Sequence, residues 1–244
     1  QQALDMAMNL FSGGYLPLKQ RAHAENVYWA ICEKIHKLCQ GMDDLPEELQ
    51  ALEELLSDTY FCNFSLFQSI PDSWAIKQLF PVMPIHRLNE PPVNHAVIGD
   101  ITCDSDGKLD QFIDRRDVKK TVLLHRFNGE PYYLGVFLVG AYQEILGDLH
   151  NLFGDTHAVH VSLADNGDDG ADGARVEHII KGDSVREVLK YVEFDPEALM
   201  AKLRRDVEAA VNAGRMEDPQ AGRLLKFYEE ALMGYTYLED PNAD

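Results

Sequence analysis

The spacing of apolar residues changes twice along the chain, and this change constrains the fold more than any other feature. Residues 1 to about 58, and again 183 to 244, carry apolar residues three and four apart, the spacing of one helix face. Residues from about 59 to 182 contain short runs of Val, Ile, Phe and Tyr separated by Pro, Gly and Asp. We therefore predict an α+β fold: an antiparallel β-barrel or sandwich domain (59–182) flanked by an N-terminal helical bundle segment (1–58) and a C-terminal helical domain (183–244).

The N-terminal region contains residues that typically begin and end helices. Pro17 precedes a stripe of apolar residues between positions 24 and 38, and Gly41 follows it. Asp44 and Glu47 resemble a capping pair that would begin a second helix. The sequence therefore predicts two amphipathic helices that need a surface to pack against.

The C-terminal region predicts three helices with clear boundaries. Ser184 and Glu187 form a capping box for the first. Asp195, followed directly by proline, begins the second. The third spans roughly residues 219 to 233 and ends at Gly234.

The central region predicts seven short strands and one helix. The strands are Tyr60–Phe67, Met83–Leu88, Ala96–Thr102, Thr121–Phe127, Tyr132–Val139, Ala158–Leu163 and Arg175–Lys181. An apolar stripe between Ile145 and Phe153 predicts the helix, with Gly154 as its end. The acidic, glycine-rich segment 165–173 lacks the spacing of an EF-hand calcium loop, so we favour a solvated hairpin tip over a calcium site.

The charge balance excludes several classes of partner. The chain has 22 Lys and Arg against 41 Asp and Glu, a net charge of −19. This is the wrong sign for binding nucleic acid or an anionic membrane surface. No apolar run approaches the roughly 20 residues of a membrane span. No N-terminal stretch has a basic region followed by an apolar block, so we expect no signal peptide. The four scattered cysteines fit reduced thiols of a cytoplasmic protein.

One strand end places a thiol beside carboxylates. The predicted strand 96–102 leads directly into Cys103, Asp104, Ser105 and Asp106, followed by glycine. Negative charge disfavours the thiolate, so Cys103 is better suited to donate a proton than to act as a nucleophile. The acids are suited to hold a cation. A polar turn with a buried cysteine is the alternative reading of the same residues.

A second strand leads through Gly140 and Ala141 into a helix start at Tyr142. Free backbone N–H groups at such a junction can receive an anion, and the Tyr142 hydroxyl can donate to it. A simple strand-to-helix connection with a packing tyrosine is the alternative. The histidines do not cluster at ligand spacing, and the common nucleotide-binding and hydrolase motifs are absent from the sequence.

These segments resemble the C-terminal part of biosynthetic arginine decarboxylases, pyridoxal-phosphate enzymes of the alanine-racemase-like superfamily. The similarity covers almost the whole chain. The runs that carry it are NFSLFQS (63–69), DITCDSDG (100–107), GAYQEILG (140–147), NLFGDT (151–156) and GYTYLE (234–239). The Cys-Asp and Gly-Ala-Tyr elements are shared by the wider superfamily, whereas the first and fourth runs are typical of the arginine branch.

The resemblance implies roles for four residues. Cys103 matches the cysteine that reprotonates the substrate carbon after carbon dioxide leaves. Asp104 matches an acid that contacts the distal cationic end of the substrate, and Asp106 is a second candidate for that contact. Tyr142 matches the tyrosine that hydrogen-bonds the phosphate of the cofactor. Phe64 stands where ornithine decarboxylases carry an acid, which argues against ornithine as substrate.

The resemblance also implies an assembly. The implied function is conversion of L-arginine to agmatine in polyamine biosynthesis, with pyridoxal 5′-phosphate, an associated Mg²⁺, and active sites shared between subunits of a homodimer or a dimer of dimers. The cofactor lysine of this family lies in an N-terminal barrel that has no match here. Because the chain begins at Gln1 rather than Met, we expect a piece of a longer protein that is inactive alone. A sister decarboxylase for another basic amino acid, and a non-catalytic regulator of a decarboxylase, are the alternatives.

Overall fold

The computed structural model describes residues 1–39, 51–115, 117–163 and 173–239. Helices come first, then a region of short strands, then helices again, so the predicted α+β class is confirmed. The helices are α1 (Gln2–Ser12), α2 (Leu18–Cys39), α3 (Leu52–Leu55), α4 (Leu66–Ser69), α5 (Pro71–Ala75), α6 (Ala141–Ile145), α7 (Val185–Tyr191), α8 (Pro196–Asn212) and α9 (Asp218–Met233). The strands are β1 (Asp58–Phe61), β2 (Val82–Pro84), β3 (Asn94–Gly99), β4 (Lys108–Leu109), β5 (Phe112–Ile113), β6 (Val118–Lys119), β7 (Val122–Leu124), β8 (Leu134–Val136), β9 (Ala158–Leu163) and β10 (Ala174–Ile180).

The chain folds into two compact units. The first contains residues 1–60, 82–97 and 110–135, and the second contains 61–81, 98–109 and 136–244. Each unit is built from three separate segments, so its packing depends on contacts between residues far apart in the sequence. The division into domains at residues 58 and 182 stays a prediction.

In the first unit, α1 packs against α2. The Arg21 guanidinium lies over the ring of Phe11, 4.7 Å from its centroid. The hydroxyl of Tyr28 donates to Gln1 Oε1 at 2.7 Å. These contacts fix the two helices side by side.

The predicted first long helix is confirmed as α2, but half of its apolar stripe is exposed. Val27, Ile31 and Leu38 are exposed over 44%, 52% and 71% of their surface. The helix therefore forms without burying these side chains. The predicted stop at Gly41 and the capping pair at 44–47 lie outside the described residues.

The core of the first unit surrounds the pairing of β3 with β7. The strands are antiparallel, and Ala96 and Leu124 are completely buried. The adjacent His125 is also buried, and its ring nitrogens meet the Tyr132 hydroxyl at 2.8 Å and the Glu90 carbonyl at 2.9 Å. His125 is thus a core residue whose polar atoms are satisfied.

Strand β1 is shorter than the predicted strand 60–67, because its second half is helical. Residues 66–69 form α4, with Ser65 as N-cap: its hydroxyl accepts from the Gln68 N–H at 3.3 Å. The N–H of Leu66 is held by the carboxylate of Asp100, 34 residues away, at 2.8 Å. These caps override the β propensity of the Leu-Phe pair, and the strand prediction is wrong here.

The predicted helix at 145–153 is also wrong. Helix α6 ends at Ile145, and Asn151 and Leu152 adopt left-handed backbone angles, with φ of 57° and 61°. The chain is diverted at Gly147, where an added Cβ would lie 2.6 Å from the backbone oxygen of Gln68. The next residue, Asp148, donates its N–H to the Phe67 carbonyl at 3.0 Å. Close packing on α4 thus prevents the helix from continuing.

The predicted C-terminal helices are confirmed together with their caps. Both bonds of the capping box between Ser184 and Glu187 are present at α7. Asp195 caps α8 by accepting from the Glu197 N–H at 2.9 Å, and α9 ends before Gly234. The three helices pack against one another within the second unit.

The segment after α9 returns to the centre of the second unit. The Asn63 carboxamide donates to the Leu238 carbonyl at 2.8 Å and accepts from the Leu238 N–H at 3.0 Å. Tyr237 is buried, and its hydroxyl donates to the Gly154 carbonyl at 2.8 Å. Residues 175 positions apart are thereby fixed together.

The strands of the described residues form one four-stranded sheet and three two-stranded sheets, and they do not close a barrel. The four-stranded sheet contains β1, β3, β4 and β7; the others pair β2 with β8, β5 with β6, and β9 with β10. Segment 165–173, between β9 and β10, lies outside the described residues except for Gly173. Of the helices that are described, none is long and apolar enough to cross a bilayer.

Gly147→Ala tests the close approach of residue 147 to α4. We expect a loss of about 1–3 kcal/mol in the free energy of unfolding, because the methyl group meets a backbone oxygen that cannot move without disturbing α4. Urea unfolding of the chain measures it. Gly222→Ala is the matched control: it lies in α9 with open space around it, and we expect no loss or a gain of about 0.5–1 kcal/mol. Equal stabilities of the two variants would contradict this account.

Candidate functional site

The segment that follows β3 in the second unit is organised by one buried carboxylate. Asp100 is 2% exposed. Its Oδ2 accepts from the Leu66 N–H at 2.8 Å, and its Oδ1 accepts from the N–H and hydroxyl of Thr102 at 2.9 and 2.8 Å. Three donors offset the cost of burying this charge, so the start of the turn and the start of α4 are held by one side chain.

The turn closes through backbone bonds and a glycine. The Asp100 N–H donates to the Gly107 carbonyl at 2.8 Å, which brings the chain back into β4. A Cβ at position 107 would overlap Asp100 Oδ1 and lie 2.7 Å from Thr102 Oγ1. Only glycine allows the backbone to approach the buried carboxylate so closely. We call residues 100–107 the acidic turn.

The acidic turn presents three of the four predicted site residues. Cys103 and Asp106 are exposed, and Asp104 is half-buried. The backbone N–H of Asp106 donates to Asp104 Oδ1 at 2.8 Å, so the Asp104 carboxylate is fixed against the backbone of the turn. The thiol and both acids therefore lie on one ordered turn, as the strand-end pattern predicted. The alternative of a buried cysteine does not hold.

Two neighbouring residues that the sequence reading did not select also contact this turn. Asn151 Oδ1 accepts from the Cys103 N–H at 2.9 Å, and its Nδ2 donates to Cys103 Sγ at 3.4 Å. His150 Nε2 lies 3.7 Å from Asp104 Oδ2. No periodic pattern could predict these contacts, since the contacting residues are 46 and 48 positions apart in the sequence. The run at 151–156 that carries the family resemblance was the one available hint.

A row of aromatic side chains lies behind the acidic turn. Phe67 is buried, with its ring centroid 4.6 Å from that of His150 and 5.4 Å from that of Trp74. The indole N–H of Trp74 points to Asp106 Oδ2 at 3.4 Å. This row supports one face of the turn with rigid rings.

Tyr142 is the fourth predicted residue and lies on α6, with 78% of its surface exposed. Its neighbour Gln143 is buried and pairs with Asp72 of α5 through two hydrogen bonds of 2.6 and 3.1 Å. Helix α5 also carries Trp74, which contacts the acidic turn. Tyr142 is thus attached to the same framework as the acidic turn. The structure gathers Cys103, Asp104 and Asp106 on that turn and places Tyr142 on α6.

Burial changes the ionisation of two groups in this unit. It raises the pKa of the Cys62 thiol, which stays protonated near neutral pH. It also raises the pKa of Tyr237, so its hydroxyl remains a donor to the Gly154 carbonyl over the whole physiological range.

The side chains offer no preformed metal centre within the ranges that the structure describes. No group of three or more His, Cys, Asp or Glu residues there could hold a metal ion. The four cysteines, all within those ranges, form no disulfide.

Two family models match the ends of the chain. Residues 1–53 match the arginine decarboxylase helical bundle domain, and residues 185–238 match the arginine decarboxylase C-terminal helical extension. The first matched region contains α1 and α2, and the second contains α7, α8 and α9. The two family models thus cover helices at both ends of the chain.

Curated relatives and a solved structure match nearly the whole chain. The biosynthetic arginine decarboxylase of Rhodopirellula baltica is 58% identical over 98% of this chain and 35% of its own length. That of Gloeobacter violaceus is 55% identical over 97% of this chain and 37% of its own length. The crystal structure of the biosynthetic arginine decarboxylase SpeA from Campylobacter jejuni matches with a TM-score of 0.74 and 34% identity, over 97% of this chain and 36% of that one. The chain spans about a third of the length of the relatives it matches.

Asp100→Asn tests the buried carboxylate. The amide keeps the shape but turns one acceptor oxygen into an N–H₂ group that faces a donor, so we expect unfolding to become easier by about 1–3 kcal/mol. Chemical denaturation measures the change. Asp106→Asn, on the exposed side of the same turn, should change stability by less than about 0.5 kcal/mol. A smaller effect at position 100 than at 106 would contradict the organising role of Asp100.

Proposed function

Because this chain belongs to the arginine decarboxylase family through its helical bundle domain and its C-terminal helical extension, we propose that it is the C-terminal part of a pyridoxal-phosphate-dependent arginine decarboxylase. The proposed reaction converts L-arginine to agmatine and carbon dioxide in polyamine biosynthesis. One observation carries the proposal: the acidic turn presents an exposed thiol together with two carboxylates, of which that of Asp104 is fixed by the Asp106 N–H. Such a turn is suited to donate a proton and to bind a cationic substrate.

The residues present fit the part of pyridoxal phosphate that this chain would meet. The phenol of Tyr142 is exposed, and Gly140 has open space where a Cβ would lie, so a phosphate group can approach this junction. When bound, the cofactor supplies an electron sink for the charge left by departing carbon dioxide. We assign no lysine of this chain to the cofactor.

Cys103 is proposed as the proton donor to the substrate carbon. Its thiol is exposed and accepts a hydrogen bond from the Asn151 carboxamide, so its position on the acidic turn is fixed. A positioned acid of this kind contributes roughly 10²–10⁴-fold to a rate. Its thiolate would recover a proton from solvent before the next turnover.

Asp104 and Asp106 are proposed to bind the guanidinium of arginine. The guanidinium is planar and always charged, and a carboxylate can accept two of its N–H groups. Asp104 is the more fixed of the two, because one oxygen accepts from the Asp106 N–H. Asp106 offers a second carboxylate on the exposed side.

Tyr142 is proposed to donate its hydroxyl to the cofactor phosphate. We further propose a cytoplasmic homodimer or dimer of dimers in which the acidic turn completes the site of a neighbouring subunit. Mg²⁺ is expected from the family resemblance alone. We derive no step through it, because the described residues contain no cluster of ligands for it.

Substrate profiling of the complete protein that contains this chain tests the proposal. Carbon dioxide release is measured with pyridoxal phosphate and, in parallel, arginine, ornithine, lysine or meso-diaminopimelate. We expect release from arginine. Release only from another substrate would replace arginine, and no release from any would favour the non-catalytic regulator.

Cys103→Ala in the complete protein should slow agmatine formation at least tenfold, or divert the product to an aldehyde, since the proton would reach the substrate from another source or at another atom. Cofactor absorbance should be unchanged. Cys62→Ala, which removes a partly buried thiol, is the control and should keep its turnover. Unchanged agmatine output with no aldehyde would rule out the proton-donor role.

Tyr142→Phe should weaken retention of pyridoxal phosphate by about 1 kcal/mol, or roughly fivefold, because one hydrogen bond is lost. Dialysis followed by cofactor absorbance measures it. Tyr191→Phe is a matched control, since Tyr191 is 79% exposed against 78% for Tyr142. Equal cofactor affinity in the two variants would refute the phosphate contact.

A further inference from the structure

We propose that His150 and Asn151 are positioning residues that hold the Cys103–Asp104 pair from a left-handed turn. Asn151 contacts Cys103, and the residue before it, His150, contacts Asp104, the residue after Cys103. The catalytic role of these two positioning residues rests on the function proposed above. The contacts themselves stand independently of that function.

The Asn151 carboxamide contacts Cys103 at both of its polar atoms. Its oxygen accepts the backbone N–H at 2.9 Å, and its Nδ2 lies 3.4 Å from Sγ, within range of an N–H···S bond. The first bond fixes the backbone, and the second fixes the direction of the thiol. When the thiol gives up its proton, the same N–H₂ group donates to the thiolate and stabilises it.

The backbone explains why asparagine occupies this position. Asn151 has φ 57° and ψ 21°, a left-handed conformation in which asparagine is among the few residues that are tolerated. Leu152 follows with φ 61°, so two successive residues carry this strain. Strain of this kind persists only where the surroundings impose it, and it is common at functional sites. Here it directs the carboxamide onto Cys103.

His150 acts on Asp104 through a buried nitrogen. The ring packs on Phe67, with centroids 4.6 Å apart. Its Nε2 is buried and has no hydrogen-bond partner in the described structure, while Asp104 Oδ2 lies 3.7 Å away. A buried nitrogen without a partner is costly, and a small movement of the Asp104 carboxylate would satisfy it. His150 thus limits the orientations that Asp104 adopts toward a cationic substrate.

The first test measures the Cys103 thiol without using activity. In the complete protein, iodoacetamide alkylation is followed at a fixed pH by mass spectrometry of the peptides that contain Cys103 and Cys62. In Asn151→Gly, which keeps the left-handed backbone, we expect alkylation of Cys103 to slow roughly threefold to tenfold, since the donor to the thiolate is lost. Cys62 reports global changes and should react at the wild-type rate.

Two further variants separate the donor from the fold. Asn151→Asp keeps the shape and the acceptor oxygen but loses the N–H₂ group, so it should slow Cys103 alkylation at least as much as glycine does. Asn128→Gly makes the same change in an exposed loop and should leave Cys103 unaffected. The measurement is repeated across pH because titratable groups lie on the same two turns as the thiol and Asn151, namely Asp100, Asp104 and Asp106 of the acidic turn and His150 of the left-handed turn. If neither Asn151 variant changes the alkylation rate of Cys103 at any pH, the proposed contact between Asn151 and the thiol is wrong.

The second test uses steady-state kinetics. Asn151→Gly should lower kcat for arginine by about tenfold with KM within about twofold, whereas His150→Phe, which keeps the packing on Phe67, should raise KM by about fivefold with a smaller change in kcat. His150→Gln restores a donor and should recover part of the KM. A uniform loss in both variants with no split between kcat and KM would overturn the positioning roles.

The two tests fail separately. If the wild-type protein releases no carbon dioxide from arginine, the proposed function is wrong, while the alkylation rates still decide whether Asn151 controls the thiol. If arginine is decarboxylated but alkylation of Cys103 is equal in wild type, Asn151→Gly and Asn151→Asp, the function stands and this inference is wrong.

Discussion

The buried carboxylate of Asp100 is the interaction on which the site in the second unit depends. It accepts hydrogen bonds from the first N–H of α4 and from two donors of Thr102, so it joins the end of β3, the acidic turn and α4 at one point. A buried charge is stable only when its acceptors are satisfied, and this requirement fixes the backbone around it. Gly107 completes the arrangement, because no side chain fits beside the carboxylate. The exposed thiol and acids are held in place by this buried group.

Two irregular backbone segments meet over this point. The acidic turn presents Cys103 and Asp104, and the left-handed turn presents His150 and Asn151. Neither segment is regular helix or strand, but each is attached to one: the acidic turn to β3 and β4, and the left-handed turn to α7, which packs against it. Rigid elements thus support irregular ones, and the irregular ones present the residues of the proposed site. This division is common where loops must place polar groups to within a few tenths of an ångström.

The accuracy of the sequence predictions depends on the range of the interactions involved. The helices that begin at Ser184 and Asp195 were predicted because their caps lie within three residues of each start. Cys103, Asp104 and Asp106 were identified as a group because they are adjacent in sequence at a strand end. The strand predicted through Leu66 and the helix predicted through Asn151 were both wrong, because a contact from another part of the chain overrides the local preference. In the first case it is a cap from Asp100, and in the second it is close packing of Gly147 on Gln68.

By itself the sequence determined the order of helical and β regions, the capped ends of the C-terminal helices, and the cluster of a thiol with two acids at a strand end. All of these features are determined by residues a few positions apart, so their conformational preferences can be read directly from the sequence. Only the tertiary structure decided that Asp100 is buried as an anchor, that residues 66–69 are helical, and that His150 and Asn151 contact the acidic turn. Each of these features depends on a contact between residues far apart in the sequence. Polar groups that are buried together must form hydrogen bonds with each other, and which groups are buried together is decided only when the chain folds.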